Sequence, residues 1–309
     1  GSSIVNASDG GVLAGFTADV EFDVLDDANA VAAEVTGSNG AGDLDEANSV
    51  VISGGNVDAA EAAAIQSISG YEGSASDYDV TDTAAALISA GDGVLNEAGV
   101  DTVSVISGPV DADTGEALAE LSKDVEFDVA DTANAVAAEV TGSNGAGDLD
   151  EANSVVISGG NVDAAEAAAI QSISGYEGSA SDYDVTDTAA ALISAGDGVL
   201  NEAGVNVVSV SDGATSANEG AALAGFTADV EFDVADNAGA LISQMSDSDP
   251  ASYLTEANSI VVDDGAGSSI VNASDGGVLA GFTADVEFNV VDDANAVAAE
   301  VAGAGVGSL

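Results

Sequence analysis

Carboxylates are the only reactive side chains present in number, and their spacing is regular. An aromatic-Asp-Val-x-Asp motif begins at Phe22, Tyr78, Phe127, Tyr183 and Phe232, with Phe288-Asn289-Val290-Val291-Asp292 as a sixth copy. It supplies the pairs Asp23/Asp26, Asp79/Asp82, Asp128/Asp131, Asp184/Asp187 and Asp233/Asp236. The first Asp of each pair falls on the outward face of a strand, and the second opens the following turn. Copies stacked in register would place these groups in two columns of like charge. Either a cation or separation by alternate coils must then relieve the repulsion. Calcium accepts about six to eight hard oxygen ligands in irregular geometry, so it suits such columns better than magnesium. Calcium is therefore the expected cofactor. The second members (Asp26, Asp82, Asp131, Asp187, Asp236) also precede Ala-rich runs, where helix N-capping competes with ligation.

Two further acidic stretches join the candidate ligands. Asp92-Gly93-Val94-Leu95-Asn96-Glu97 and its copy from Asp197 match the Asp-Gly…Glu end of an EF-hand loop but lack its earlier Asp ligands. The segment 40–45 misses the Gly-Gly-x-Gly-x-Asp nonapeptide spacing by one residue.

The charge balance excludes whole classes of function. The chain has 56 acidic residues against one basic residue, Lys123, no His or Cys, and a net charge of −55. Nucleic-acid binding needs Lys and Arg to displace counterions from phosphates. Direct binding to anionic membranes fails for the same reason. Zinc, haem and iron–sulfur centres want His or Cys. Nucleophilic triads want a His or Lys base, and Lys123 stands where related repeats carry Ala18, Ala228 and Ala284. Paired carboxylates can cleave glycosidic bonds, yet here they recur with each repeat instead of gathering once. No enzyme is expected. With 46% apolar residues and charged residues at 18%, the chain is nonetheless able to bury a core. No run approaches 18 uninterrupted apolar residues, so no transmembrane helix is expected.

The elements that must position these carboxylates follow from internal repetition. Residues 28–100 recur unchanged as 133–205, and 1–35 return as 267–301 with Asp23 replaced by Asn289 and Leu25 by Val291. Motif starts near 22, 78, 127, 183, 232 and 288 are spaced alternately by 56 and 49, so residues 1–309 read as one continuous array. A second landmark, Leu-x-Glu-Ala, falls at Leu44, Leu95, Leu149, Leu200 and Leu254 ahead of Val-rich runs. Val20, Phe22 and Val24 alternate with Glu21 and Asp23, the period of a half-buried strand. Ala-rich runs such as 59–65, 84–90 and 114–121 predict short helices, each preceded by Asp or Thr or opening on one, as a cap. The fold class is thus a mainly β or α/β repeat protein, a parallel solenoid of about 25-residue coils, each a strand plus a short Ala-rich helix. The alternative is tandem immunoglobulin-like sandwiches of about 105 residues. In the solenoid Phe22, Tyr78, Phe127, Tyr183, Phe232 and Phe288 form an internal core ladder.

The phrases from Tyr78 (Tyr-Asp-Val-Thr-Asp-Thr-Ala-Ala-Ala-Leu-Ile-Ser-Ala) and Val103 (Val-Ser-Val-Ile-Ser-Gly-Pro-Val-Asp-Ala) resemble units of very long, acidic, repetitive bacterial surface or secreted proteins. Those often accompany haemolysin-type calcium-binding repeats. The resemblance implies an exported adhesive, fibrous or surface-coat role with calcium as cofactor, although the haemolysin-type nonapeptide is missing. Because the chain begins and ends inside ordinary repeats, it is expected to be part of a longer array or to stack on itself. The expected function is an extracellular fibre, filament or coat whose partner is itself, head to tail or laterally. A calcium-dependent adhesin rod that binds glycans or cells is the second expectation.

Overall fold

Short alternating strands followed by Ala-rich runs give the chain one local rule, and the computed structural model shows where it leads. It describes residues 3–16, 20–37, 44–142, 149–245, 256–263, 270–281 and 286–304. Leu254, Ala18, Ala284 and most of the near-nonapeptide at 40–45 lie outside the described residues. The chain forms two compact bodies: Gly1–Asp131 with Ala138–Val156 and Ile173–Tyr176, and Thr132–Ala137 with Ile157–Ser172 and Glu177–Leu309.

The first body alternates β1 (Ser3–Val5), α1 (Ala7–Ala14), β2 (Phe22–Asp26), α2 (Ala28–Thr36), β3 (Ser49–Val57), α3 (Ala59–Gln66), β4 (Asp77–Asp82) and α4 (Ala84–Ala90). It continues through the one-turn α5 (Asp92–Leu95), β5 (Val100–Val105), α6 (Ala112–Ala119), β6 (Val125–Glu126) and β7 (Asp128–Asp131). Helix α7 (Ala133–Thr141) and strand β8 (Ser154–Val162) are divided between the bodies. The second body holds α8 (Ala164–Gln171), β9 (Asp182–Asp187), α9 (Ala189–Ala195), α10 (Asp197–Leu200), β10 (Val205–Val210), α11 (Ala217–Leu223), β11 (Val230–Glu231) and β12 (Asp233–Asp236). It then holds α12 (Ala238–Met245), β13 (Ser259–Val262), β14 (Ile270–Val271), α13 (Ala273–Leu279), β15 (Val286–Glu287), β16 (Asn289–Val290) and α14 (Ala294–Ala304).

Strands β1 to β6 lie side by side in chain order, as do β8 to β11 in the second body. Strand pairings within each body are parallel, for example Val24 opposite Val50 and Val80 opposite Val103. A parallel neighbour requires a crossover, and the short helix supplies it each time. The chain is therefore a repeating parallel α/β fold. The immunoglobulin-like alternative does not hold, because a sandwich of that kind is built from antiparallel sheets.

The core is the inner row of strand residues, Val24, Val50, Val80 and Val103, facing the buried first residues of the helices, Ala28, Ala59 and Ala112. Helices that start repeats with a Phe carry glycine at their fourth position. A Cβ on Gly10, Gly115 or Gly220 would lie 3.1, 2.9 or 2.8 Å from Cγ2 of Val24, Val129 or Val234, and within 3.3 Å of the Phe22, Phe127 or Phe232 ring. The Tyr repeats carry the buried Ala62 and Ala167 in that place. There Gln66 Nε2 donates to Tyr78 Oη and to the Val94 carbonyl, both at 2.9 Å, and Gln171 repeats both bonds with Tyr183 and Val199. The phenol is thus satisfied inside an apolar core.

Candidate functional site

The expected ligand carboxylates are placed by the strand ends. Every helix leaves its first N–H groups without an intrahelical partner. One of them is met locally: Asn6, Asp27, Asp58 and Thr83 accept from the backbone of Asp9, Ala30, Glu61 and Ala86. A second is met from the following repeat. Asp26 accepts the Ala7 N–H at 3.0 Å, Asp82 that of Ala59 at 3.1 Å, and Asp131 that of Ala112 at 3.0 Å. In the second body Asp187 and Asp236 accept from Ala164 at 3.1 Å and Ala217 at 3.0 Å. The other oxygen of Asp26, Asp82, Asp187 and Asp236 accepts the next residue's own N–H. Sequence reading placed the N-cap on these aspartates. In the structure the cap is the residue after them, and the aspartate caps the helix of the preceding repeat.

Two aspartates outside the expected set do the same work. Asp212 accepts the Ala189 N–H at 3.2 Å, and Asp292 accepts those of Ala273 at 3.1 Å and Asp293 at 2.7 Å. These bonds hold the Asp292 carboxyl below the usual carboxylate range, the Ala273 amide most. Asp212 was findable, since it follows Ala189 by the same 23 residues that separate Asp82 from Ala59.

The first motif aspartates do not face one another. Strand register sets Asp23 opposite Ser49, Asp79 opposite Asn56, Asp184 opposite Asn161 and Asp233 opposite Ser259. The continuous columns expected from stacking are thus interrupted, and alternate strands separate the charges. Asp79 accepts from the Thr102 N–H and hydroxyl, Asp128 from the Ser154 hydroxyl at 2.7 Å, and Asp233 from the Ser259 hydroxyl at 2.6 Å. The EF-hand-like aspartates fasten a loop 30 residues onward. Asp92 accepts the Ser122 N–H and hydroxyl, both at 2.7 Å, and Asp197 accepts the N–H groups of Thr227 at 2.6 Å and Ala228 at 3.0 Å. The Ala228 amide above all keeps the Asp197 carboxyl below its ordinary range.

Of the aromatic ladder, Phe22, Tyr78, Phe127, Tyr183 and Phe232 are buried, while Phe288 is only half-buried. One acidic contact escaped the sequence reading. Glu139 on α7 is pushed up to about 7, chiefly because it shares a hydrogen bond with Glu116 on α6, helped by desolvation and by Asp113. Among the described residues no three acidic, His or Cys side chains converge as a metal-holding group, and no helix is long and apolar enough to cross a membrane. Comparison with protein-family models, with curated proteins and with solved structures finds no match.

Proposed function

We propose that this chain is a structural repeat protein whose strand–helix repeats close into a solenoid and assemble into an extracellular fibre, filament or surface coat. The observation that supports it is the recurrent bridge from an aspartate at the end of a strand (Asp26, Asp82, Asp131, Asp187, Asp236) or two residues past one (Asp212, Asp292) to the helix of the preceding repeat. The same carboxylate chemistry is used again and again to fasten neighbours, which is the distribution of a scaffold. Its role is mechanical and not catalytic, its partner is a second copy, and calcium or bulk cations neutralise the acidic faces. Nucleic acid and anionic membranes are not partners in this reading.

Electron microscopy and light scattering of the purified chain, across graded calcium chloride and ionic-strength-matched sodium chloride, test it. Filaments or sheets that lengthen as cation is added are expected. Single particles of one chain at every protein and cation concentration would overturn the fibre reading.

A further inference from the structure

Of the seven aspartates that bridge to a helix start, only Asp212 is followed by glycine. After Asp26, Asp82, Asp187, Asp236 and Asp292 the next residue carries a side chain, and its amide donates back to the aspartate's other oxygen. Asp212 stands two residues past β10 in the exposed stretch 211–214, and Gly213 follows it at φ 92°. Nothing lies within 4 Å of where a Gly213 Cβ would be, and among the described residues its N–H has no acceptor. The Asp212 carboxylate meanwhile holds the Ala189 N–H at 3.2 Å, the longest of the seven bridges. The other described Asp-Gly pairs are held. Asp9-Gly10 and Asp275-Gly276 lie inside α1 and α13, where the Gly N–H groups donate to the Asn6 and Asn272 carbonyls at 2.9 Å. Asp92-Gly93 and Asp197-Gly198 lie in α5 and α10, with their carboxylates bound to Ser122 and Thr227.

We propose that Asp212-Gly213 is a modification site, where the chain converts its own aspartate to isoaspartate and so opens the bridge to α9. The Gly213 nitrogen attacks Cγ of the protonated Asp212 carboxyl. The N–Cγ bond forms, the Cγ–OH bond breaks, and the amide proton leaves with the hydroxyl as water. Water then adds to the cyclic imide at the former backbone carbonyl and breaks that carbon's bond to the Gly213 nitrogen. The main chain now runs through Cγ, and the free carboxylate sits directly on Cα, withdrawn from Ala189. Water is lost and regained, so no other reactant is needed. Glycine admits the closure best, because no Cβ shields its nitrogen and its backbone turns freely. The first copy shows the same helix without this bridge. Helix α4 repeats the α9 sequence, but the matching loop reads Ser107-Gly108-Pro109 and carries no carboxylate. Its Ala84 is 8% exposed where Ala189 is 2%. The inference goes beyond the fibre reading and does not depend on it.

The full chain, aged in mildly acidic buffer, tests it by peptide mapping with electron-transfer fragmentation, which tells isoaspartate from aspartate at equal mass. Isoaspartate at residue 212 should exceed that in the helical Asp-Gly pairs several-fold, those pairs being pooled where their peptides are identical. Exchange at the Ala189 amide, followed by NMR, should rise with age toward that of Ala84. Asp212→Ser, which installs the first copy's residue at an exposed position, should yield no isoaspartate in that peptide and should exchange fast at Ala189 from the outset. Isoaspartate no more abundant at 212 than in the helices would overturn the site. Slow exchange at Ala189 both in the aged chain and in Asp212→Ser would overturn the opening of the bridge.

Discussion

Glu139 and Gly115 both respond to what a neighbouring repeat places beside them. Glu139 keeps its proton up to about pH 7 against Glu116, whereas an unperturbed glutamate releases it near 4.5. Between those values the folded chain binds a proton that the unfolded chain has lost, so stability falls as pH rises through that window. Asp111, Asp197 and Asp292 act in the opposite sense. Their folded values lie below 3.8, so their contribution is present above that pH and disappears as pH falls through the folded values. Thermal unfolding followed across pH should peak on the acid side of neutrality, and Glu116→Gln should flatten the slope between 4.5 and 7. An unchanged slope in that variant would detach the effect from this pair. Gly115 tests packing against helix propensity. Alanine is the better helix former by about 1 kcal/mol, yet its methyl would press on Val129 at 2.9 Å. Overpacking of this kind costs about 1–3 kcal/mol, so Gly115→Ala lowers the urea midpoint. Gly93→Ala, with nothing within 4 Å of its Cβ, is neutral or stabilises by up to about 1 kcal/mol, leaving the midpoint unchanged or higher.

Strands and helices are where the sequence was most legible. The alternation of Val20, Phe22 and Val24 with acids does mark β2, and the Ala-rich runs at 59–65 and 84–90 do become α3 and α4. Local periodicity contains burial, so it recovers elements. It does not contain register, and register decides which residue stands opposite Asp23 or reaches the start of a helix 19 or 23 residues earlier. That is why the motif aspartates were read as caps of their own helices and as facing columns. The glycine at the fourth position of α6, Gly115, is likewise unreadable until the Phe127 ring is placed beside it. Removing one bridge should be felt in two repeats together. Asp82→Ala takes partners from the amides of Ala59 and Thr83, at a cost of about 0.5–2 kcal/mol for a lost cap. Hydrogen exchange at both amides should quicken, while exposed Asp101→Ala stays within about 0.5 kcal/mol of the parent. Acceleration at Thr83 alone would refute the bridging role.

At the scale of the molecule, a charge of −55 works against compaction that the strand core and the caps favour. Added sodium chloride at fixed pH should raise the unfolding temperature steeply up to about 0.15 M, where the screening length is about 8 Å, and only slowly beyond. Calorimetry showing a temperature indifferent to salt would mean that the acids are already paired off by their own backbone. The bridges to helix starts run one way, since each of these seven aspartates accepts from the repeat before it, whereas Asp79, Asp92, Asp128, Asp197 and Asp233 accept from residues further along the chain. During synthesis a helix such as α1 or α3 leaves the ribosome with an amide still waiting. It is completed only when a further 19 or 23 residues have emerged. Maturation of the nascent chain therefore lags its elongation by one repeat.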